Sequence, residues 1–480
     1  MNVQSHLFVL VYLPVVLILW RLAGRWLGNV GSRLLLLCAG LLFCGWESPL
    51  SLLVVCAEGG MSWLAGRAMA RPGARKKLLL AGSVTVLLIV LAFFKYTGWL
   101  LSLTPLEGLF MPPAGLAPLG LSFLTFQQIF WLRDCYYRET GEVSLLDYAC
   151  CLTFFATATC GPITRVGELA PQLRQPREVD WDDLAAGLYC FALGLAKKVL
   201  LAGTFAGGAN YGYANAGYLS GMDSALTILC YTMQIYFDFS GYCDMAAGMA
   251  RMMGVELPVN FDSPYQARSI EGFWSRWHVT LSRFFRTCVY IPLGGNRKGT
   301  AVTCRNIMVI FLLSGIWHGA GWGFLIWGAL HGGAMVVQRL CRGKISLPRW
   351  LGWLITFIFV NIAWVFFRAE SLGQALALLG DLFGAWGRPT PWFVESLPLE
   401  AVAKGLSALQ NLVKPGGIVF TYWAPLLLLP GGMALLACPN PLEQVRQFRP
   451  TAGKLVLTVA CLVVSILFFS GVDTFIYANF

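Results

Sequence analysis

The stretch Leu78-Leu-Leu-Ala-Gly-Ser-Val-Thr-Val-Leu-Leu-Ile-Val-Leu-Ala-Phe-Phe94 contains no charged residue and only two hydroxyl side chains. It lies within an apolar segment over residues 78–103, long enough to exceed the roughly 20 residues that carry a helix across a bilayer. Comparable segments occur at about 7–20, 34–46, 50–65, 116–132, 145–160, 184–204, 224–250, 307–317, 322–338, 350–367, 422–437 and 455–472. The sequence therefore predicts an all-α protein embedded in a membrane.

The composition of the whole chain indicates the same class. Of its 480 residues, 57% are hydrophobic and 12% are charged, whereas soluble domains carry roughly a quarter charged residues. Several apolar segments are too short to span alone, so we expect roughly eleven transmembrane helices plus re-entrant and interfacial helices. Since no polar domain or internal repeat separates them, we expect one integral-membrane domain over residues 1–480.

The net charge of +11 comes from basic residues that cluster in short loops. Such clusters are the orientation signal of membrane proteins, and the basic stripe on a polar domain that nucleic-acid binding would need is not seen. Arg21 and Arg25 follow the first apolar stretch, and Arg446 and Arg449 precede the last. The positive-inside rule therefore predicts both termini on the non-cytoplasmic side, with residues 7–20 kept as a first helix.

The 15 cysteines and four histidines show no spacing typical of metal ligands. Neither C-x-x-C nor H-x-x-x-H occurs, and most cysteines lie inside apolar runs. We therefore expect no disulfide framework and no metal site. A phosphate-binding G-x-x-x-x-G-K is absent as well, so no ATP site is expected.

Residues 260–333 differ from the rest of the chain because arginines are interleaved with tryptophan and phenylalanine. The basic residues of this region are Arg268, Arg276, Arg283, Arg286, Arg297, Lys298 and Arg305. A true span would not tolerate them, since each arginine costs about 2.5 kcal/mol or more at the bilayer centre. They fit either an amphipathic anchor at the interface or a binding surface for an anionic donor such as coenzyme A.

His318 stands out by its position. From Asn306 to Trp317 is about 18 Å of helix, so a helix entering from the basic side would end near the middle of the membrane. Gly319-Ala-Gly-Trp-Gly323 then breaks the helix. An ionisable residue at such a break is a functional candidate, and a neutral imidazole can accept a hydroxyl proton. A structural histidine bonded to a carbonyl is the alternative.

The other polar residues of the apolar runs are less decisive. His278, between tryptophans, is equally compatible with an interface anchor and a site residue. His331 lies 13 residues after His318, about 220° around a continuous helix, so we expect it to face away and pack. Asp238 and Asp244 could form a proton relay or bond structurally to neighbours, and we favour the structural role.

Eight motifs occur in a characteristic order along the chain, and they are Pro118–Phe123, Gly161-Pro-Ile-Thr-Arg165, Gln234–Asp244, Asn260–Tyr265, Phe273–His278, Tyr290–Arg297, Trp317-His-Gly319 and Trp364–Ala369. By these motifs the chain resembles the membrane-bound O-acyltransferases, in particular the bacterial branch that O-acetylates alginate and other polysaccharides. The resemblance implies a ring of transmembrane helices around a central tunnel, with residues 260–333 as the catalytic core. It also implies a catalytic role for His318 and a second conserved polar position at His278.

The same resemblance implies a function. The expected reaction is acetyl transfer from cytoplasmic acetyl-CoA across the bacterial inner membrane to a glycan, completed by a periplasmic esterase-like partner. Acetyl-CoA is then a substrate and no cofactor is needed. The residues expected to bind the donor are Arg276, Arg283, Arg286, Asn296 and Arg297. The branch usually carries Arg-Asp where this chain has Arg286-Thr287, so no role for an acid is carried over to that position.

The final residues, Phe475-Ile-Tyr-Ala-Asn-Phe480, resemble a carboxy-terminal pattern of the exporting branch in which the tyrosine holds the acyl group transiently. Tyr477 is therefore a candidate acyl carrier, and an aromatic interface anchor is the alternative.

Two other functions of the whole protein stay open. One is export of D-alanine delivered by a carrier protein, and the other is a small-molecule transporter or flippase, which would show paired broken helices in related halves.

Overall fold

The computed structural model describes residues 1–46, 48–104, 118, 120–397, 432, 434, 436, 445 and 448–469. Within these residues the regular elements are helical, as the apolar segments predict. The α-helices of the amino-terminal half are α1 (Leu13–Trp26), α2 (Gly28–Gly45), α3 (Pro49–Ala70), α4 (Lys76–Ser102), α5 (Leu121–Tyr137), α6 (Leu145–Leu152), α7 (Val166–Arg174), α8 (Trp181–Ala196), α9 (Gly203–Ala214) and α10 (Gly221–Met252). They are followed by α11 (Ile270–Trp274), α12 (Val279–Phe285), α13 (Thr300–His318), α14 (Trp322–Cys341), α15 (Arg349–Arg368), α16 (Leu372–Asp381), α17 (Pro391–Ser396) and a helix over Ala452–Leu467.

Eight helical segments in the described part of the chain are long and apolar enough to cross a membrane. They are Phe8–Trp26, Gly28–Gly45, Pro49–Ala70, Lys76–Ser102, Trp181–Ala214, Thr300–His318, Trp322–Cys341 and Arg349–Arg368. The prediction of a polytopic all-α membrane protein is confirmed. Residues 153–165, which follow α6, are not helical and yet nearly all buried.

The centre of the bundle is α10, which has 32 residues and whose side chains are almost all buried. It packs closely against α8 through glycines. A Cβ atom on Gly241 would lie 2.6 Å from the carbonyl oxygen of Gly194, and one on Gly248 would lie 2.5 Å from that of Gly187. Small residues at such crossings let two helix backbones approach in a membrane, where lipid gives no hydrophobic drive to association.

Two ion pairs inside the bundle join α10 to the π-helical segment Lys197–Ala202 that follows α8. Lys197 Nζ lies 2.7 Å from Asp244 Oδ2, and Lys198 forms the equivalent pair with Asp238. A charge at membrane depth is costly unless it is paired. Each carboxylate thus has a cationic partner on the neighbouring helix, which accords with the structural role favoured for Asp238 and Asp244.

One predicted helix boundary was wrong. The sequence placed the start of the helix before His318 near Asn306, whereas α13 begins at Thr300 and has 19 residues. At about 1.5 Å per residue it is roughly 28 Å long, close to the thickness of the hydrocarbon core. Arg305 therefore lies in the second turn of α13, and the helix is long enough to span. The predicted helix end is confirmed, because α13 ends at His318 and α14 starts at Trp322.

Candidate active site

The segment between α10 and α13 folds as short helical pieces joined by an antiparallel contact. Phe261 and Trp277 form a β-bridge, and Val279 N donates to the carbonyl oxygen of Asn260 at 3.0 Å. This contact brings His278 beside Asn260. His278 itself adopts a left-handed conformation, with φ 45° and ψ 54°. A residue other than glycine seldom adopts this conformation unless its surroundings hold it there.

His278 is fully buried and hydrogen-bonded on one side of its ring. Its Nδ1 lies 3.1 Å from Asn260 Oδ1. Its ring packs edge-to-face on Phe239, with centroids 4.8 Å apart, and is stacked on Phe123. Among the residues that the structure describes, Nε2 has no hydrogen-bond partner. A buried nitrogen of this kind is available to a substrate group or a water.

His318 is the last residue of α13 and is 2% exposed. Aromatic rings surround its imidazole, with ring centroids 4.8 Å away at Trp317, 5.1 Å at Trp327 and 5.1 Å at Phe367. These rings come from α13, α14 and α15, so the helix break places His318 where three spans meet. A largely apolar site of this kind strengthens every electrostatic interaction made inside it.

The structure brings His278 and His318 to the same side chain. The Trp317 ring centroid lies 6.3 Å from that of His278 and 4.8 Å from that of His318. The two histidines are 40 positions apart and belong to different elements, so only the fold unites them. Both candidate imidazoles therefore lie against the same buried indole ring.

Two side chains from α4 hold the end of the helix that carries His318. Lys95 donates a hydrogen bond to the carbonyl of Trp317, and its Nζ lies 5.6 Å from the Trp317 ring centroid. Tyr96 donates from its hydroxyl to the carbonyl of Ile316 at 2.6 Å. The last four carbonyls of a helix have no partners inside it, and a cation there also opposes the negative end of the helix dipole. Lys95 was not predicted from the sequence, although a lysine inside an apolar run is the signal that could have identified it.

His331 lies closer to the site than the sequence indicated. Its ring centroid is 5.0 Å from that of Trp327, the residue that also packs on His318. The 220° estimate assumed one continuous helix and was wrong, because the break puts His318 on α13 and His331 on α14. His331 is buried, and its Nδ1 accepts a hydrogen bond of 3.2 Å from Trp274 Nε1. These contacts are compatible with the packing role expected for it.

The residues expected to bind the donor occupy more exposed positions. Arg286, Asn296 and Arg297 are exposed, and Arg276 is half-buried. Arg283 forms a two-pronged ion pair with Glu168, in which both nitrogen–oxygen distances are 3.0 Å. The sequence did not predict this pair, which ties α12 to α7.

The loop that carries Asn296 and Arg297 is docked on the amino-terminal half of α13. Asn306, which is fully buried, donates from Nδ2 to the carbonyl of Gly295 at 3.0 Å. Arg305 in turn donates to Asn306 Oδ1 at 2.9 Å. The exposed basic loop and His318 are thus fixed to the same helix.

Tyr477 and the rest of the carboxy-terminal motif lie outside the described residues.

The sequence matches known proteins over most of its length. The membrane-bound O-acyltransferase family model covers residues 67–373. A peptidoglycan O-acetyltransferase of Helicobacter pylori is 37% identical over 85% of this chain and 84% of its own length. A probable alginate O-acetylase of Pseudomonas aeruginosa is 38% identical over 80% of this chain and 75% of its own.

A more distant match is a teichoic acid D-alanyltransferase of Bacillus subtilis, 28% identical over 54% of this chain and 71% of its own length. The family match includes α13 and α14, together with the segment that holds His278. The chain therefore belongs to the membrane-bound O-acyltransferase family and is a multi-pass membrane acyltransferase.

Proposed function

We propose that the chain moves acetyl from cytoplasmic acetyl-CoA across the bacterial inner membrane for O-acetylation of an exopolysaccharide or a cell-wall glycan. The observation that carries the proposal is the meeting of His278 and His318 at the buried Trp317 ring. One neutral imidazole can act as general base toward a hydroxyl nucleophile, and a second can hydrogen-bond to the donor or the acceptor and orient it. The names of the two relatives with the greater coverage suggest the acetyl group and a glycan acceptor.

In this proposal His318 is the general base. It takes the proton of the attacking hydroxyl while the hydroxyl oxygen bonds to the thioester carbonyl carbon. The carbon–sulfur bond then breaks, and the proton passes from His318 to the leaving thiolate, which yields an ester and free coenzyme A. His278 orients the donor or the acceptor. A thioester exchanges for an ester without a large uphill step, so the reaction requires no ATP and no cofactor beyond the acetyl-CoA substrate.

The donor is proposed to bind through Arg276, Arg283, Arg286, Asn296 and Arg297. Guanidinium groups match phosphate oxygens in geometry and charge, and coenzyme A is rich in phosphate. This proposal puts the basic loop on the cytoplasmic side and both termini on the periplasmic side, as the distribution of basic residues predicts. A separate periplasmic esterase-like protein would complete the transfer to the glycan.

The proposal is tested with inverted membrane vesicles that contain the full chain and are given radiolabelled acetyl-CoA. We expect label to appear on a hydroxyl acceptor with the wild type and not with His318→Ala. His6→Ala is the matched control, because His6 is exposed and lies at the other end of the chain, where its ring contacts the Ile466 carbonyl at 3.2 Å and the Phe469 ring. Transfer of D-alanine from a charged carrier protein, without transfer from acetyl-CoA, would instead favour the alternative substrate.

A further inference from the structure

The neighbours of His278 determine which of its nitrogens carries the proton. The deciding neighbour is Asn260. The shape of its side chain is the same when the amide oxygen and nitrogen are interchanged, so these two atoms are assigned from their hydrogen-bond partners. Here the backbone N–H of Thr280 lies 3.1 Å from the atom assigned as Oδ1. A backbone N–H only donates, so that atom must be the oxygen. The amide nitrogen of Asn260 then faces Cys243 Sγ at 3.4 Å, a weak acceptor.

The same oxygen accepts from the Thr280 hydroxyl at 2.8 Å and lies 3.1 Å from His278 Nδ1. An amide oxygen cannot donate, so the hydrogen of this contact must be on Nδ1. In a neutral imidazole only one nitrogen carries hydrogen, and Nε2 is therefore a bare acceptor. Nε2 is buried and has no hydrogen-bond partner among the described residues.

His331 provides a contrast within the same site. Its Nδ1 accepts the indole N–H of Trp274 at 3.2 Å, so Nδ1 is bare and the hydrogen of the neutral ring is on Nε2. The two buried histidines are thus held in opposite tautomers by partners of opposite polarity. A histidine that only packs can take either form, whereas one that must accept from a hydroxyl needs a bare nitrogen facing it.

We propose that Asn260 is a positioning residue that holds His278 in the Nδ1–H form and keeps the Nε2 lone pair ready to accept a hydrogen bond from the bound donor or acceptor, other than the hydroxyl hydrogen that His318 removes. The second half of this statement rests on the proposed acyl transfer, and the first half does not. Asn260 is itself fixed on several sides. Its backbone carbonyl accepts from Val279, and the Thr280 hydroxyl that donates to it also accepts from the backbone N–H of Ile163 at 3.0 Å.

The tautomer can be read directly by solid-state nuclear magnetic resonance of the full chain, labelled with nitrogen-15 histidine and reconstituted in lipid. The chain has four histidines, so the His278 signals are assigned by their loss in His278→Gln. We expect a protonated Nδ1 and a bare Nε2 at His278, with the reverse at His331 as an internal reference. A His278 ring protonated on Nε2 in the wild type overturns the proposal.

The variant test uses Asn260→Leu, which keeps the volume of the side chain and removes its acceptor. We expect loss of the Nδ1–H form and a fall in turnover of about 10- to 100-fold, the size of the loss when the partner that orients a metal-bound histidine is removed. Thr280→Ser is the matched control. It removes only a methyl group from the same packing and keeps the hydroxyl that donates to Asn260 Oδ1, so both the tautomer and the turnover should be kept.

Each outcome bears on the proposal. If Asn260→Leu retains the Nδ1–H form, or loses it without any fall in turnover, the positioning role is wrong. If Asn260→Leu does not fold, the spectra of the wild type and of Thr280→Ser still decide whether His278 is held in the Nδ1–H form. Failure of the proposed function would look different, since acetyl-CoA would not be consumed by the wild type while the His278 tautomer stayed as expected.

Discussion

Lys95 on α4 donates a hydrogen bond to the backbone carbonyl of Trp317, one residue before the end of α13. Its ammonium group also lies 5.6 Å from the Trp317 ring centroid, and its Nζ is 3.5 Å from Ser122 Oγ. The polar end of this lysine is thus used within the protein, against the residue that separates His278 from His318. Lys95 thereby fixes the last turn of α13, which carries the proposed general base His318.

Replacing this lysine tests its role. Lys95→Met keeps the length of the side chain and removes its donors, so the Trp317 carbonyl loses its partner. We expect a loss of roughly 1.5–3 kcal/mol in stability, as for hydrogen bonds to charged groups. Activity should fall further, on the order of 10²-fold if the imidazole of His318 shifts by about 1 Å. Thermal unfolding in detergent and the acetyl-CoA vesicle assay measure the two effects separately.

Tyr96→Phe is the control for Lys95→Met. It removes the hydrogen bond to the neighbouring carbonyl of Ile316, which is 2.6 Å long, and leaves Lys95 in place. We expect about 1 kcal/mol of destabilisation and near-normal activity. Equal losses of activity in both variants would mean that α13 merely needs its end capped.

Alanine variants of the three buried histidines should differ in whether they lose acetyl transfer or stability. His318→Ala should leave the protein inserted and lower acetyl transfer by about 10²–10⁴-fold, the usual contribution of a general base. His278→Ala should also impair transfer, whereas His331→Ala should mainly lower stability because it empties a packed site beside Trp327. The measurement is turnover in vesicles normalised to protein content. Normal turnover of a well-expressed His318→Ala would remove the central proposal.

A pH dependence of stability is expected at Asp147, which lies on the short α6 outside the candidate spans. Burial disfavours its charge, but hydrogen bonds from Arg174, Ser144 and Arg33 outweigh burial and hold the pKa of the carboxyl below its usual value. A carboxyl whose pKa is depressed by folding stabilises the folded state above its unfolded pKa, about 4, and loses that contribution as pH falls through the folded pKa.

Asp147→Asn should therefore destabilise the protein at neutral pH, by roughly 1.5–3 kcal/mol, because it weakens hydrogen bonds between charged groups. The difference between wild type and variant should shrink as the pH is lowered below about 4. Thermal unfolding in detergent at several pH values measures it. A difference that stays constant down to acid pH would show that the charge of Asp147 does not matter for folding.

Removing arginines proposed to bind the donor should weaken the binding of acetyl-CoA. Arg283→Ala with Arg286→Ala should raise the KM for acetyl-CoA more than it lowers kcat, because phosphate binding is lost before the reacting atoms are affected. Glu168→Gln separates two explanations, since Glu168 pairs with Arg283 through two 3.0 Å contacts. It leaves the arginine charge intact and should not raise KM. An unchanged KM in the double variant would make the cluster an orientation and anchoring feature.

Local rules predicted much of the fold and part of the site. Gly319-Ala-Gly321 ends α13 where expected, since a run rich in glycine does not sustain a helix. The helix start was missed because Thr300 and Arg305 are polar, so the apolar pattern begins only after Asn306. The orientation of His331 was missed because angular spacing has no meaning across a helix break. The contact of Asn260 with His278 depends on the antiparallel pairing of Phe261 with Trp277. No local sequence pattern predicts that pairing.

The last prediction concerns Tyr477, in the carboxy-terminal motif outside the described residues. A phenol has a pKa near 10 and is a weak nucleophile, so it would need a base, and His318 is the proposed one. Arg446 and Arg449, which precede the last apolar segment, predict that the tail lies on the periplasmic side, and the proposed role requires it to reach the site from there. We therefore expect Tyr477 to accept acetyl and hand it to a periplasmic partner.

Tyr477→Phe removes the hydroxyl and keeps an aromatic anchor. Loss of glycan acetylation in cells, at normal membrane levels of the variant, is the expected result. Full acetylation would leave Tyr477 as an interface anchor, and the hydroxyl of the partner would then have to receive acetyl directly at His318.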